Sequence, residues 1–391
     1  MNSRRDFLKL LSLFSFAGSA PLLQAQELKR TNQPEQPVRI GYLPITDATP
    51  LLVAHAQKLF EKQGIKTEQP IMFRSWSQLV EAFLSDEVNL VHLLSPMSLW
   101  LKYAANAPVK AVMWNHLAGS ALTVQPQIER ISDLGGKTVA IPFWYSIHNI
   151  VVQQLLQANN LSVTTKKPKE NEVKLVVMSP SDMVTALANG VIAGFIVAEP
   201  FNALAEAKGV GKILRFSADV WRDHACCLTM MHEQDVTERP EWTQKVVNAL
   251  TESQVFCVNQ PLEVAKTLAR GNGYTPHSQE VLEKVLAPSE QQWAEYLARG
   301  AVKHPEWHTH GHQQRIGFQP YPFDSYMEKL VEFLQTTKLA GNNGFLAELN
   351  PTQVARELNA PQFVKKSLEQ GDYLTVFGLQ NGFERVEEIN V

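Results

Sequence analysis

Two spacings of hydrophobic residues alternate along the chain, one near two and one near 3.6. Residues 38–43 alternate as a strand does, and Pro44 ends the run. Thr49 before Pro50 reads as a helix start, with Thr49 as the cap and Pro50 in the first turn. Leu52, Ala56, Leu59 and Phe60 fall on one face of that helix, and Gly64 stops it. Residues 70–73 form the next strand and lead through Arg74-Ser75-Trp76 into a helix carrying Leu79, Val80, Phe83 and Leu84. Residues 88–94 are a third strand, closed by Ser95-Pro96. Strands alternating with helices predict a mostly parallel sheet with helices on its faces.

The same rhythm restarts after residue 120. Residues 138–141 are a strand, and Ser146 caps a helix that turns Ile147, Ile150, Val151 and Leu155 inward. Residues 173–177 are a strand, Ser181 caps a helix ended by Asn189-Gly190, and residues 191–197 run into Glu199-Pro200. From about residue 240 the pattern is mainly helical, with long amphipathic stretches at 241–258, 278–298 and 324–338. The expected class is therefore α/β: two α/β lobes with a central cleft and extra C-terminal helices. Lobe 1 takes residues 38–118 and 217–391, and lobe 2 takes 119–216. The crossings fall near 117–121 and 213–218, where Ala118-Gly119-Ser120 supplies small residues. In open α/β sheets ligands bind beyond the carboxyl ends of strands. That rule selects Thr46 and Asp47, Trp76, Ser95, Ser120, Tyr145 and His148, and Glu199 as candidate ligand contacts.

Composition narrows the function classes. The 391 residues exceed one ordinary core, and 45% apolar with 19% charged residues is a globular balance. A net charge of −3 gives no basic field, so nucleic acid is not an expected partner. Three cysteines, two of them adjacent (Cys226 and Cys227), are no disulfide framework; they read as buried small residues, with one bridge to Cys257 as the alternative. Ser3-Arg4-Arg5-Asp6-Phe7-Leu8-Lys9 matches the twin-arginine export consensus, with a short apolar stretch behind it and a cleavage point after Ala25. Residues 1–25 are thus the expected signal peptide and 26–37 a linker. The remainder is expected not to span a membrane, and its expected compartment is the periplasm.

The strand-end segments resemble the nitrate/bicarbonate-binding branch of periplasmic solute-binding proteins, within the nitrate/sulfonate/taurine group of ABC importers. The matching stretches are residues 39–47, 94–97, 134–140, 193–195 with 198–201, and Val220-Trp221-Arg222-Asp223-His224. The resemblance runs from about residue 38 to about 260. It implies a type II periplasmic-binding-protein fold that closes on a small anion, nitrate-like by preference, and delivers it to an ABC permease and ATPase. Nitrate-binding relatives line the pocket with a Trp, a Gln, a His and a Lys. The resemblance puts Trp76 at the Trp, His148 at the His and Arg222 at the Lys. No residue matches the Gln; Ser120 or His116 occupies that neighbourhood. In bicarbonate-binding relatives the Arg222 position is acidic and supports calcium, so Arg222 favours direct anion capture without a metal.

Each candidate also has a plain structural reading. His148, in the first turn behind Ser146, offers a donor beside helix-start amides, or is a cap-turn histidine. Arg222 offers a planar fork for an oxyanion, or pairs with Asp219 or Asp223 at the surface. Trp76 walls a pocket or packs between lobes. Thr46 and Asp47 touch ligand or only turn the chain, and Glu199 reaches the cleft or pairs with a base at the hinge. Close histidines from His304 to His312 fit no common metal spacing and read as an exposed loop. No dinucleotide, phosphate-loop, nucleophile-elbow or zinc-enzyme motif occurs, so neither enzyme activity nor a cofactor is expected. The alternatives are a sulfonate or thiamine-precursor binder, a ligand sensor outside transport and, last, an enzyme on the same fold.

Overall fold

The computed structural model describes residues 36–308 and 315–391. The twin-arginine segment, the cleavage point, His310 and His312 lie outside the described residues. Strands in chain order are β1 (Ile40–Tyr42), β2 (Ile71–Met72), β3 (Leu90–Leu94), β4 (Val109–Trp114), β5 (Leu117–Ala118), β6 (Ser120–Val124), β7 (Thr138–Ile141), β8 (Ser162–Thr164), β9 (Glu172–Val177), β10 (Gly194–Ala198), β11 (Lys212–Phe216), β12 (Cys227–His232) and β13 (Ile316–Gly317).

They form a five-stranded sheet of order β2-β1-β3-β12-β4 and a six-stranded sheet of order β11-β6-β10-β7-β9-β8. Both sheets are mixed, the six-stranded one with its β10, β7, β9 and β8 parallel as expected and antiparallel pairings of β6 beside them. In the first, β1 pairs parallel with β2 and β3, but β12 runs antiparallel between β3 and β4. It places Cys227 opposite Leu94 and Leu228 opposite Trp114. In the second, β6 is antiparallel to β10 and β11. The sequence pattern missed this in part because β6 and β12 are buried along their whole length, and such short buried runs carry no period of their own.

The first sheet is a buried layer. All five residues of β3 are buried, and β1 is glycine-thin at Gly41, where an added Cβ would lie 2.7 Å from Leu79 Cδ1. The helix Trp76–Leu84 can therefore press directly onto the sheet. Its cap is Ser75, which accepts a hydrogen bond from the Gln78 amide. Thr49 is no cap. A short 3-10 turn, Thr46–Ala48, precedes the helix Thr49–Ala56 and takes the entry role. Ser181 likewise sits inside the helix Pro180–Ala188, whose preceding residue is Ser179. Ser146 does cap the helix Ile147–Ala158, accepting from the Asn149 amide at 3.1 Å.

The chain passes from the first sheet to the second through Ala118 and Gly119, both with positive φ (56° and 78°). A Cβ on Gly119 would meet Ile316 at 2.9 Å, so close packing and backbone conformation both call for glycine there. β13 pairs with β5 at this crossing. The stretch 278–298 divides into two helices, Gln279–Leu286 and Glu290–Ala298, around Pro288. The second of these packs Trp293 and Tyr296 on Phe216 of the six-stranded sheet, so part of the C-terminal region covers lobe 2. The helices Pro240–Asn259, Asp324–Thr336, Pro351–Leu358 and Gln362–Gln370 thicken lobe 1. Among the described residues no helix is long and apolar enough to cross a membrane.

Candidate functional site

A cavity of about 640 Å³ opens between segments that leave the two sheets. Ser75, Trp76 and Trp100 reach it from the five-stranded side, Phe143, Trp144 and Tyr145 from beyond β7, and Met178 to Pro180 from beyond β9. These are carboxyl ends of parallel strands, where the fold leaves room for a guest. A larger depression of about 870 Å³ is lined by Gly64, Lys66, Glu238, Arg239 and Trp242. It lies beside segments that precede strands or link outer helices, away from the strand ends where the two sheets meet.

Five aromatic rings line the interlobe cavity, and two of them carry unused donors. Trp76 is 3% exposed and its Nε1–H has no partner; the Tyr145 hydroxyl is buried and also has none. Burial raises the Tyr145 pKa, so the phenol keeps its proton. An unpaired buried donor costs on the order of 1–3 kcal/mol, which a ligand acceptor would recover. Tyr145 is steadied by stacking on Phe345, and Trp76 stands edge-on to His92 at 5.5 Å between centroids.

Behind Trp76 lies a second, fully buried group. Asp47 Oδ2 is 3.0 Å from His116 Nε2 and accepts from the Cys227 thiol at 3.2 Å. His148 Nε2 lies 2.9 Å from Ser120 Oγ and 3.8 Å from Cys226 Sγ. His92 Nε2 accepts from the Leu43 amide, and His224 Nε2 bonds Ser217 Oγ at 2.8 Å. Burial pushes His92 and His224 down to about 3, so both are neutral. Burial pushes Asp47 up to about 6, against the pull of His116. Burial disfavours charge on His116 too, yet Asp47 raises it to about 10, leaving the pair ionised at neutral pH. Burial also opposes ionisation of Cys226, but the Cys227 thiol and the His148 and His116 imidazoles outweigh it and hold this thiol well below the usual range.

The sequence-selected residues therefore divide. Trp76 and Tyr145 meet in the cavity; Asp47, Ser120 and His148 meet in the buried group. Thr46 donates to the Glu199 carbonyl at 3.1 Å, and Ser95 bonds the Ala225 carbonyl and the Tyr326 hydroxyl; both are parts of the frame. Glu199 is paired with Arg315 and accepts from the Ala203 amide. Arg222 stands apart from both groups, half-exposed, 2.8 Å from Glu388 and 3.6 Å from Asp223. His308 is buried against Asp219 at 3.0 Å, which corrects the reading of the whole histidine run as an exposed loop. The three thiols are free and buried, so neither Cys226 nor Cys227 bridges Cys257.

The sequence reading passed over Trp100, Phe143, Trp144, His92 and the two cysteines as site residues. For the cysteines the signal was topological. β12 is antiparallel, so its first residue sits beside the last residues of β3 and β4, at the ligand edge of the sheet. A rule that collects only residues following strands skips the start of such a strand.

A family model described as the NMT1-like family matches residues 31–270, and the chain belongs to that family. The nitrate import ATP-binding protein NrtC of Synechocystis sp. is 25% identical over 262 residues, covering 64% of this chain and 37% of that protein. The chain spans about a third to a half of the length of the curated relatives it matches. Among solved structures, the periplasmic nitrate-binding protein NrtA from Synechocystis aligns with a TM-score of 0.67 at 15% identity, covering 87% of this chain and 90% of that one. The periplasmic aliphatic sulphonate binding protein SsuA from Escherichia coli aligns at 0.54 with 15% identity, covering 78% and 87%. The fold is that of the periplasmic binding proteins, and the resemblance to the nitrate/sulfonate type holds.

Proposed function

We propose that the protein is the extracytoplasmic binding component of an ABC importer and that it closes on a small organic anion with a flat apolar body. The observation that carries this reading is the aromatic cavity of about 640 Å³ between the lobes, with the Trp76 Nε1–H and Tyr145 O–H unpaired beside it. Two donors without acceptors suit a carboxylate or sulfonate head. The rings of Trp76, Trp100, Phe143, Trp144 and Tyr145 suit a planar body. Nitrate, with four heavy atoms, would leave most of that volume unfilled, and Arg222 is engaged elsewhere. The size and lining thus favour the organic sulfonate or heterocycle class over the inorganic ion. The fold shared with nitrate- and sulphonate-binding proteins supports transport over sensing or catalysis, with an ABC permease and ATPase as partners.

The test is a thermal-shift screen of the purified protein. A ligand that binds only the folded state at a hundred times its Kd stabilises by about 2.7 kcal/mol and raises the melting temperature. Aromatic or heterocyclic carboxylates and sulfonates are expected to raise it; nitrate, nitrite and bicarbonate are not. A shift with the inorganic ions alone would overturn the organic reading, and a flat response to every anion would overturn anion capture.

A further inference from the structure

The buried group behind Trp76 contains more ligand atoms than the cavity needs. Asp47, His116, Cys226 and Cys227 each offer one donor atom, and those four atoms all lie within 4.8 Å of one another. Metal–ligand bonds of about 2.0–2.3 Å in a tetrahedron place ligand atoms roughly 3.3–3.8 Å apart. The Asp47–His116 and Asp47–Cys227 separations, 3.0 and 3.2 Å, already approach that spacing. The geometry points to a tetrahedral site for a zinc-like divalent transition ion, held by the two thiolates, the His116 imidazole and the Asp47 carboxylate.

Independent observations lead the same way. Asp47 Oδ1 is wholly buried without a partner, and the close His116 Nε2–Asp47 Oδ2 approach is not aligned as a hydrogen bond. A carboxylate, an imidazole and two thiols converging in a dry interior leave Asp47 Oδ1 unpartnered, and each group offers a lone pair to a cation once any proton on it has left. Two sulfur donors beside one nitrogen and one oxygen select a borderline-soft ion over magnesium or calcium. A metal binds the deprotonated forms of these thiols and of the imidazole, so uptake weakens as pH falls. All four donors belong to the five-stranded lobe or its crossing, whereas His148 comes from the helix Ile147–Ala158 of the other lobe, 3.8 Å from Cys226 Sγ. A metal here would give the closing lobe a fixed charge to meet. The site differs from the aromatic cavity in residues and chemistry, so it stands or falls separately from anion capture.

Cobalt(II) is the probe. The full chain, reduced and stripped with chelator, is expected to take up about one Co²⁺ per molecule with the visible bands of a tetrahedral cobalt–thiolate site, and Zn²⁺ should bleach them. Cys226→Ser combined with Cys227→Ser should abolish the bands, Asp47→Asn and His116→Gln should each weaken cobalt binding at least about tenfold, and Cys257→Ser should change nothing. Circular dichroism of each variant checks that it has folded. Should the double-cysteine variant fail to fold, Asp47→Asn alone decides. Absent bands in protein whose thiols are shown to be reduced overturn the site. So do bands that survive loss of both cysteines, or a Cys226–Cys227 disulfide found by alkylation and mass spectrometry in the freshly isolated protein. Organic-anion shifts persisting in the stripped protein would leave the cavity reading intact under any of these outcomes.

Discussion

Two clusters of buried charged groups border the Ala118–Gly119 crossing, and they differ in how completely they are satisfied. In the first, Arg315 bonds Glu199 and the Tyr296 hydroxyl, Tyr296 donates to Glu206 at 2.7 Å, and Arg299 bonds Glu206 from outside. Glu199 further accepts from the Ala203 amide at 3.1 Å. In the second, Asp47, His116, Cys226 and Cys227 crowd together, yet Asp47 Oδ1 and both His116 nitrogens lack a hydrogen-bond partner. Every carboxylate in the first cluster has its counter-charge. In the second, Asp47 Oδ1 stays unpartnered although His116 is its counter-charge. The first cluster leaves only Arg315 Nε over, whereas in the second a carboxylate oxygen and the imidazole itself lack hydrogen-bond partners, and that difference separates the structural network from the site in this molecule.

The largest effect should come from breaking the first cluster, whose carboxylates are all paired. Burial opposes the charge on Arg315, but Glu199, Tyr296 and Glu206 outweigh it and raise its pKa. Arg315→Ala would strand the Glu199 carboxylate, which is about 1% exposed. Removing one partner of a buried pair costs about 3–5 kcal/mol. Urea unfolding should show a loss of that size. A loss below about 1 kcal/mol would mean that the network is not what secures the crossing.

How much of this could be read beforehand depends on what each signal reports. The α/β class and the strands carrying Gly41, Leu93 and Ala140 follow from spacing, because period and caps are local. Glu199 could not be assigned from its neighbours. Its counter-ion is Arg315, which lies 116 positions away and is brought close only by the β5–β13 pairing. Trp76 and Tyr145 were visible because they follow strands. Cys226 and Cys227 were not, since an antiparallel strand brings its start, not its end, to the ligand edge.

A middle-sized effect tests the cavity side of the contrast. Tyr145→Phe removes a hydroxyl that has no partner within the protein. The unliganded protein should therefore keep its stability within about 0.5 kcal/mol or gain slightly, since an unpaired polar group leaves a buried position. Affinity for the organic anion found in the thermal-shift screen should fall by about five- to tenfold, the equivalent of ~1–1.4 kcal/mol. Isothermal titration separates the two quantities. A large stability loss with unchanged affinity would make Tyr145 part of the frame, as Ser95 is.

The smallest effect belongs to Arg222, the residue on which charge alone would place the heaviest bet. Its side chain is 37% exposed and pairs with Glu388, itself 47% exposed. An ion pair so open to water and salt contributes about 0–1 kcal/mol, so Arg222→Ala should cost under about 0.5 kcal/mol. Anion affinity should not change, because the guanidinium is neither at the cavity lined by Trp76 and Tyr145 nor in the group around Asp47. If calorimetry instead shows the anion lost with Arg222→Ala, the guanidinium must leave Glu388 and swing inward when ligand arrives. The contrast would then need redrawing, because a paired surface charge would be serving the site while the unpaired buried donors waited. An unchanged affinity fixes the opposite lesson: a permanent charge at a family's expected position is no substitute for a buried, uncommitted donor on a residue that lines the cavity.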